Sequence, residues 1–155
     1  MRPPSLYWYF ESKQAIYDAM FTAANRELLG RMGGDDWPDE PRAVLRRLAR
    51  IFVEFSAEDP ARAQLLFQRT IPDFTPSAES YAVATEVLER GRQALTSAGV
   101  TDPADVDLWT ALVSGLASQQ SANDPGGDRW LRLADGAVNM YANHVLSEQG
   151  PRRRR

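Results

Sequence analysis

The sequence predicts an all-α helical bundle, and three observations carry that expectation. Apolar residues recur at three- and four-residue spacing through nearly every segment of the 155-residue chain. The segments open on residues that start helices, as in Ser12, Pro41, Asp59-Pro60, Ser77 and Asp102-Pro103, because these groups satisfy or dispense with the unpaired N–H groups of a first turn. Gly33-Gly34 and Gly99 stand where helices stop.

The first long helix is expected from Ser12 towards Met32, with Ile16, Met20, Ala23-Ala24 and Leu28 towards a core. After the turn-forming run 35–40, a second helix opens at Pro41. It sets Val44, Leu45, Leu48, Ile51, Phe52 and Phe55 against Arg42, Arg46, Arg47 and Arg50. Acidic neighbours make that arginine face solvated rather than a nucleic-acid stripe. A short helix follows Asp59-Pro60 and carries Leu65, Leu66 and Phe67. The prolines of Ile71-Pro72-Asp73-Phe74-Thr75-Pro76 then predict a loop pinned onto the body. Another long helix runs from Ser77 through Tyr81, Val87 and Leu95. The next opens at Asp102-Pro103, bears Val106, Trp109, Leu112-Val113 and Leu116, and is expected to run out near Gln119-Gln120-Ser121. Beyond the strong turn signal at Asn123-Asp124-Pro125-Gly126-Gly127, a final helix carries Trp130-Leu131, Ala134, Val138, Tyr141 and Val145.

Composition excludes several functions. With 43% hydrophobic residues the chain can bury one core, and no second full domain fits. The absence of cysteine removes disulfides, thiolate metal sites and a cysteine nucleophile. His144 is the single histidine, far from any nucleophile motif, so a surface or capping role is expected. No phosphate-binding glycine loop, paired-carboxylate motif or metal-ligand spacing is present, so neither an enzyme, a metal nor a cofactor is expected. No apolar run is long enough to cross a bilayer, and the expectation is a soluble, cytoplasmic protein without a membrane partner. The net charge is −3 and falls to −7 without Arg152 to Arg155, so the body is acidic. The arginine tail reads as a solvated, disordered end.

One stretch points to a function. Pro3-Pro4-Ser5-Leu6-Tyr7-Trp8-Tyr9-Phe10 reads as a short helix, and Glu11-Ser12-Lys13 as a tight turn into the next. Leu6, Phe10 and Ile16 can share a core, leaving Ser5, Tyr7, Trp8 and Lys13 for a phosphate backbone and base edges. The string S-L-Y-W-Y-F-E-S-K-Q-A-I-Y-D-A-M resembles the end of the DNA-binding domain of TetR-type transcriptional regulators. Their recognition helix carries a T/S-L-Y-x-H/Y-F core followed by a lysine. The resemblance implies that Pro4 and Ser5 meet base edges, Tyr7 and Trp8 the backbone, and Lys13 a phosphate, with the two recognition helices of a dimer entering successive major grooves of operator DNA. Such a head needs a further 30–40 residues or so upstream. Only Met1-Arg2 precede Pro3, so an N-terminally truncated head that binds DNA poorly is expected.

The segment 59–77 is similar, more loosely, to the ligand-binding half of a TetR subgroup. The helices containing D-L-W-T-A-L-V-S-G-L-A-S-Q-Q and R-W-L-R-L-A-D-G-A-V-N-M-Y lie where that family builds a four-helix dimer interface. This resemblance implies interface roles for Trp109, Leu112, Leu116, Trp130, Ala134, Val138 and Tyr141. The small residues Ser114, Gly115, Ala117, Ser118, Gly136 and Ala137 also favour close helix approach in a homodimer. Phe52, Phe55, Phe67, Phe74, Tyr81, Trp109 and Met140 could enclose a small, mostly hydrophobic effector, with Gln119, Asn139 or Tyr141 as polar contacts. The expected division is therefore 1–32 for the remnant DNA-binding part, 33–148 for ligand binding and dimerisation, and 149–155 for the tail. The expected function is that of a ligand-responsive regulator, most simply a repressor. The alternative is a helical dimerisation or protein-interaction module without an effector.

Overall fold

The computed structural model describes residues 11–68 and 70–147, and within them every regular element is helical. Helix α1 spans Lys13–Met32, α2 Pro41–Glu58, α3 Pro60–Phe67, α4 Ala78–Ser97, α5 Pro103–Asn123 and α6 Ala134–Ser147, with a 3-10 turn at Leu131–Leu133 leading into α6. The predicted recognition helix, with Pro4, Ser5, Leu6, Tyr7, Trp8 and Phe10, lies outside the described residues, as does the arginine tail.

The caps follow the chemistry of the sequence. Ser12 accepts the Ala15 N–H at 3.1 Å, Asp59 the Arg62 N–H at 3.0 Å, Ser77 the Ser80 N–H at 3.2 Å and Asp102 the Ala104 N–H at 2.8 Å. At α2 the cap is Glu40, whose carboxylate takes the N–H groups of Arg42 and Ala43 at 2.9 and 2.7 Å. Gly99, at φ 87°, adopts the left-handed conformation that lets the chain turn sharply out of α4.

Helix α2 is the centre of the bundle: α1, α3, α4, α5 and α6 all pack against it. Its Leu45, Leu48, Ala49, Val53 and Phe55 are fully buried, as are Leu28 of α1 and Val138 and Ala142 of α6. Removing a buried leucine side chain of this kind costs about 2–5 kcal/mol. The arginine face of α2 is more engaged than expected. Arg46 donates to the Asn139 side chain at 3.2 Å, Arg50 pairs with Asp135 through Nε at 3.0 Å, and Arg47 pairs with Asp36 at 3.1 Å while lying over the Trp37 ring. Arg42 reaches the Asn139 carbonyl at 3.5 Å, so all four tie α2 to α6 or to the preceding loop.

Two details differ from the expected pattern. In α1 it is Phe21, not Met20 or Ala23, that is buried, and both of those are exposed. The phase of the helix is set by Phe74, whose ring stands edge-on to both Tyr17 and Phe21. Helix α5 continues to Asn123 past the expected end. Gln120, only 1% exposed, is the reason. Its carbonyl accepts the N–H groups of Trp130 and Leu131 at 2.9 and 3.3 Å, and its amide donates to the Gly127 carbonyl at 3.1 Å and to that of Asp124. One side chain therefore organises the whole α5–α6 turn from the inside.

Candidate ligand cleft

A cleft of about 950 Å³ opens between α4 and α5. Its origin is topological. A five-residue turn, 98–102, joins the two helices, but α4 packs on α1 and α2 whereas α5 packs on α2 and α6, and the two scarcely touch beyond the turn. They therefore leave space between them. Leu48, Phe52 and Ser56, one helical turn apart, form the floor on α2. Val87, Leu88, Gly91, Arg92 and Leu95 form the α4 wall, and α3 contributes Ala63, Gln64, Leu66 and Phe67. The α5 wall combines Val106, Trp109 and Val113 with a row of hydroxyls, Thr110, Ser114, Ser118 and Ser121. A site of this size, mainly apolar with a few polar groups, matches what a small organic ligand requires.

Of the seven aromatic and soft residues expected to enclose a ligand, Phe52, Phe67 and Trp109 line the cleft together. The other four do not. Phe55 is fully buried elsewhere, beneath the Arg62 guanidinium at 3.9 Å from its ring centroid and the Arg31 guanidinium at 5.3 Å. Those two arginines are held by Glu27 and Glu58, so the ring forms the base of a four-charge network joining α1, α2 and α3. Phe74 packs on α1, as described. Tyr81 and Met140 are 61% and 74% exposed, because α4 and α6 turn those positions away from α2. Nor do the expected polar contacts reach the cleft. Asn139 is engaged by Arg46, Gln119 accepts from Asn123, and Tyr141 donates to the Asp105 carbonyl at 2.7 Å. Burial pushes the Tyr141 phenol up to about 12.

The residues expected at a dimer interface are placed by the chain's own core. Trp109, Leu116, Ala134, Val138 and Tyr141 are buried, Trp109 and Tyr141 stacking edge to face at 5.4 Å, while Leu112 and Trp130 are partly buried. They have little surface left for a second copy. The large apolar side chains left exposed here are Leu108 of α5, Leu133 of the 3-10 turn and Met140 of α6, with Gly115 and Gly136 beside open space. Ser114 and Ser118, read as small residues for helix contact, line the cleft instead.

The cleft is linked to α1 through α4. The Asp18 carboxylate accepts hydrogen bonds from the Ser77 backbone at 2.7 Å and from the Ser77 and Ser80 hydroxyls at 2.8 and 2.7 Å. Ser80, buried, also accepts the Thr22 hydroxyl at 2.6 Å. Three bonds to the ionised form, led by the Ser77 N–H, hold the Asp18 carboxyl below its ordinary value. Gln14 adds a bond to the Asp73 carbonyl at 3.2 Å. Lys13, the one expected DNA contact within the described residues, is exposed at the start of α1 with its ammonium 5.6 Å from the Tyr17 ring centroid.

The fold and cleft define an all-helical protein with a ligand-sized site. Among the described residues no cluster of acidic, histidine or cysteine side chains could hold a metal, and no helix is long and apolar enough to cross a membrane. No family model, curated protein or solved structure matches the chain.

Proposed function

We propose that the chain is the sensor part of a TetR-type, ligand-responsive transcriptional regulator that works as a homodimer and responds to a small, mostly hydrophobic effector. The observation that carries the reading is the continuity from the α4–α5 cleft to α1. One wall of the cleft is α4, and the N-terminus of α4 is bonded to Asp18 in the first half of α1. The residues resembling a recognition helix immediately precede α1 in sequence. A ligand that spreads the cleft would shift α4 and take α1 with it, changing the spacing of two DNA-reading heads. By linkage such a ligand must bind the spread shape more tightly than the DNA-bound shape.

The rival reading, a helical interaction module without an effector, is disfavoured by the cleft, since such a module has no use for a ligand-sized gap in its core. A homodimer is supported by Leu108 of α5, Leu133 of the 3-10 turn and Met140 of α6, all exposed, and by Gly115 and Gly136, which leave room for a partner backbone.

The test is duplex DNA retention by the 155-residue chain and by a version extended upstream of Met1, with salt varied to count phosphate contacts. The extended chain is expected to retain DNA with a steep salt dependence and to release it when the cleft is filled. If neither form retains DNA at low salt, the regulator reading is wrong.

A further inference from the structure

We infer that the occupant of the cleft is an apolar molecule with one anionic end, and that Arg92 receives that end. The inference rests on the cleft's being an effector site and adds the charge of the effector. The chain has 21 acidic residues, yet none lines the cleft, and Arg92 is its single charged lining residue among those described. A cationic ligand would leave water for an apolar wall whose one charge is a guanidinium, the adjacent Glu89 carboxylate lying outside the lining and being already paired with Arg92. An anionic ligand finds a planar, bidentate donor in a cleft otherwise lined by such groups as Phe52, Val87, Leu88 and Trp109.

Arg92 is held in reserve rather than locked. It pairs with Glu89 on its own helix at 2.7 and 3.0 Å, and its side chain is 64% exposed. Exposed pairs of this kind contribute little, so a ligand carboxylate can replace Glu89 as the partner. Glu89 is not stranded by the exchange, because Gln93 donates to it at 3.0 Å. Across the gap the side chains of Ser114, Ser118 and Ser121 make no hydrogen bond among the described residues and remain able to follow polar substituents.

The experiment titrates the full chain with decanoate, decan-1-ol and decylammonium, below their aggregation concentrations, by calorimetry and by fluorescence, to which Trp109 in the cleft wall contributes. Decanoate is expected to bind most tightly and decylammonium least. Arg92→Gln should weaken decanoate by about tenfold while leaving decan-1-ol unchanged. Glu89→Gln, which releases the guanidinium, should tighten decanoate by roughly two- to fivefold, a gain that a purely structural role for the pair would not produce. Decylammonium binding as well as decanoate, or Arg92→Gln weakening decan-1-ol equally, overturns the charge preference and leaves the effector site standing. Binding of none of the three overturns both. No outcome depends on DNA, so the regulator reading is tested separately.

Discussion

Asp18 of α1 caps a helix that is not its own: its carboxylate takes the Ser77 N–H and hydroxyl at the start of α4, 59 residues further along the chain. Asp18→Ala should therefore destabilise the fold by about 1–2 kcal/mol and loosen α1 from α4. The pH dependence follows from the direction of the shift. The carboxyl titrates lower in the folded than in the unfolded chain, so its contribution is full above the unfolded value of about 4 and is lost as pH falls through the folded one. The stability gap between the natural chain and Asp18→Asn should be constant from neutral pH to about 5 and close below about 4. Denaturant melts at a series of pH values check it, and a gap that widens in acid contradicts it.

Gln120 carries the α5–α6 turn. Gln120→Leu keeps most of the volume but strands the Trp130 and Leu131 N–H groups in a buried site, at a cost of about 2–4 kcal/mol. Gln120→Glu keeps the acceptor and loses the amide donor that holds the Asp124 and Gly127 carbonyls. Thermal unfolding should rank the natural chain above both variants. Hydrogen exchange should locate the loosening at 124–131.

The Arg62 guanidinium lies over Phe55, pairs with Glu27 at 2.6 Å and donates to the Phe55 carbonyl at 3.0 Å. Arg62→Lys keeps the charge but not the planar fork, so it should recover little of the roughly 1–2 kcal/mol lost in Arg62→Ala. Equal stability of the lysine variant and the natural chain would show that charge alone matters there. Unfolding in denaturant separates the two.

On the outer side of α6, a Cβ placed on Gly136 meets nothing within 4 Å. In a monomer Gly136→Ala would simply stabilise the helix by up to about 1 kcal/mol. If α5 and α6 dock against a second copy, Gly136→Leu and Met140→Glu should each weaken association by about tenfold or more without changing helix content. Sedimentation equilibrium alongside circular dichroism reads both. A natural chain that is monomeric at every concentration removes the homodimer from the proposal.

Local chemistry made the helices legible: Ser12, Asp59, Ser77 and Asp102 cap where their side chains predict, and Gly99 turns where glycine is needed. The cleft was legible only in part. Phe52, Phe67 and Trp109 were identifiable as rings, but periodicity cannot tell a ring that faces a gap from one, like Phe55, that is roofed by arginines of other helices. The hydroxyl row of α5 was written in the sequence at Thr110, Ser114, Ser118 and Ser121. Ser114 and Ser118 of that row suit helix contact equally well as small residues, and nothing local reveals that a cleft separates α4 from α5. Gln120 was invisible for the same reason: a polar residue near a helix end is ordinarily solvated, and its partners lie beyond a glycine turn.

The five-residue turn at 98–102, with Ala98 and Val100 buried, anchors one tip of α4, and the Ser77 cap lies at the other. Twenty residues at 1.5 Å each put about 30 Å between them. A tilt of α4 by about 5° about that anchored tip would sweep the far tip through an arc of roughly 2.6 Å, close to the length of the hydrogen bonds that Asp18 makes there. If the cleft takes the effector proposed above, this gearing favours amplitude over force: a slight displacement beside the turn is felt in full where α1 grips the far tip.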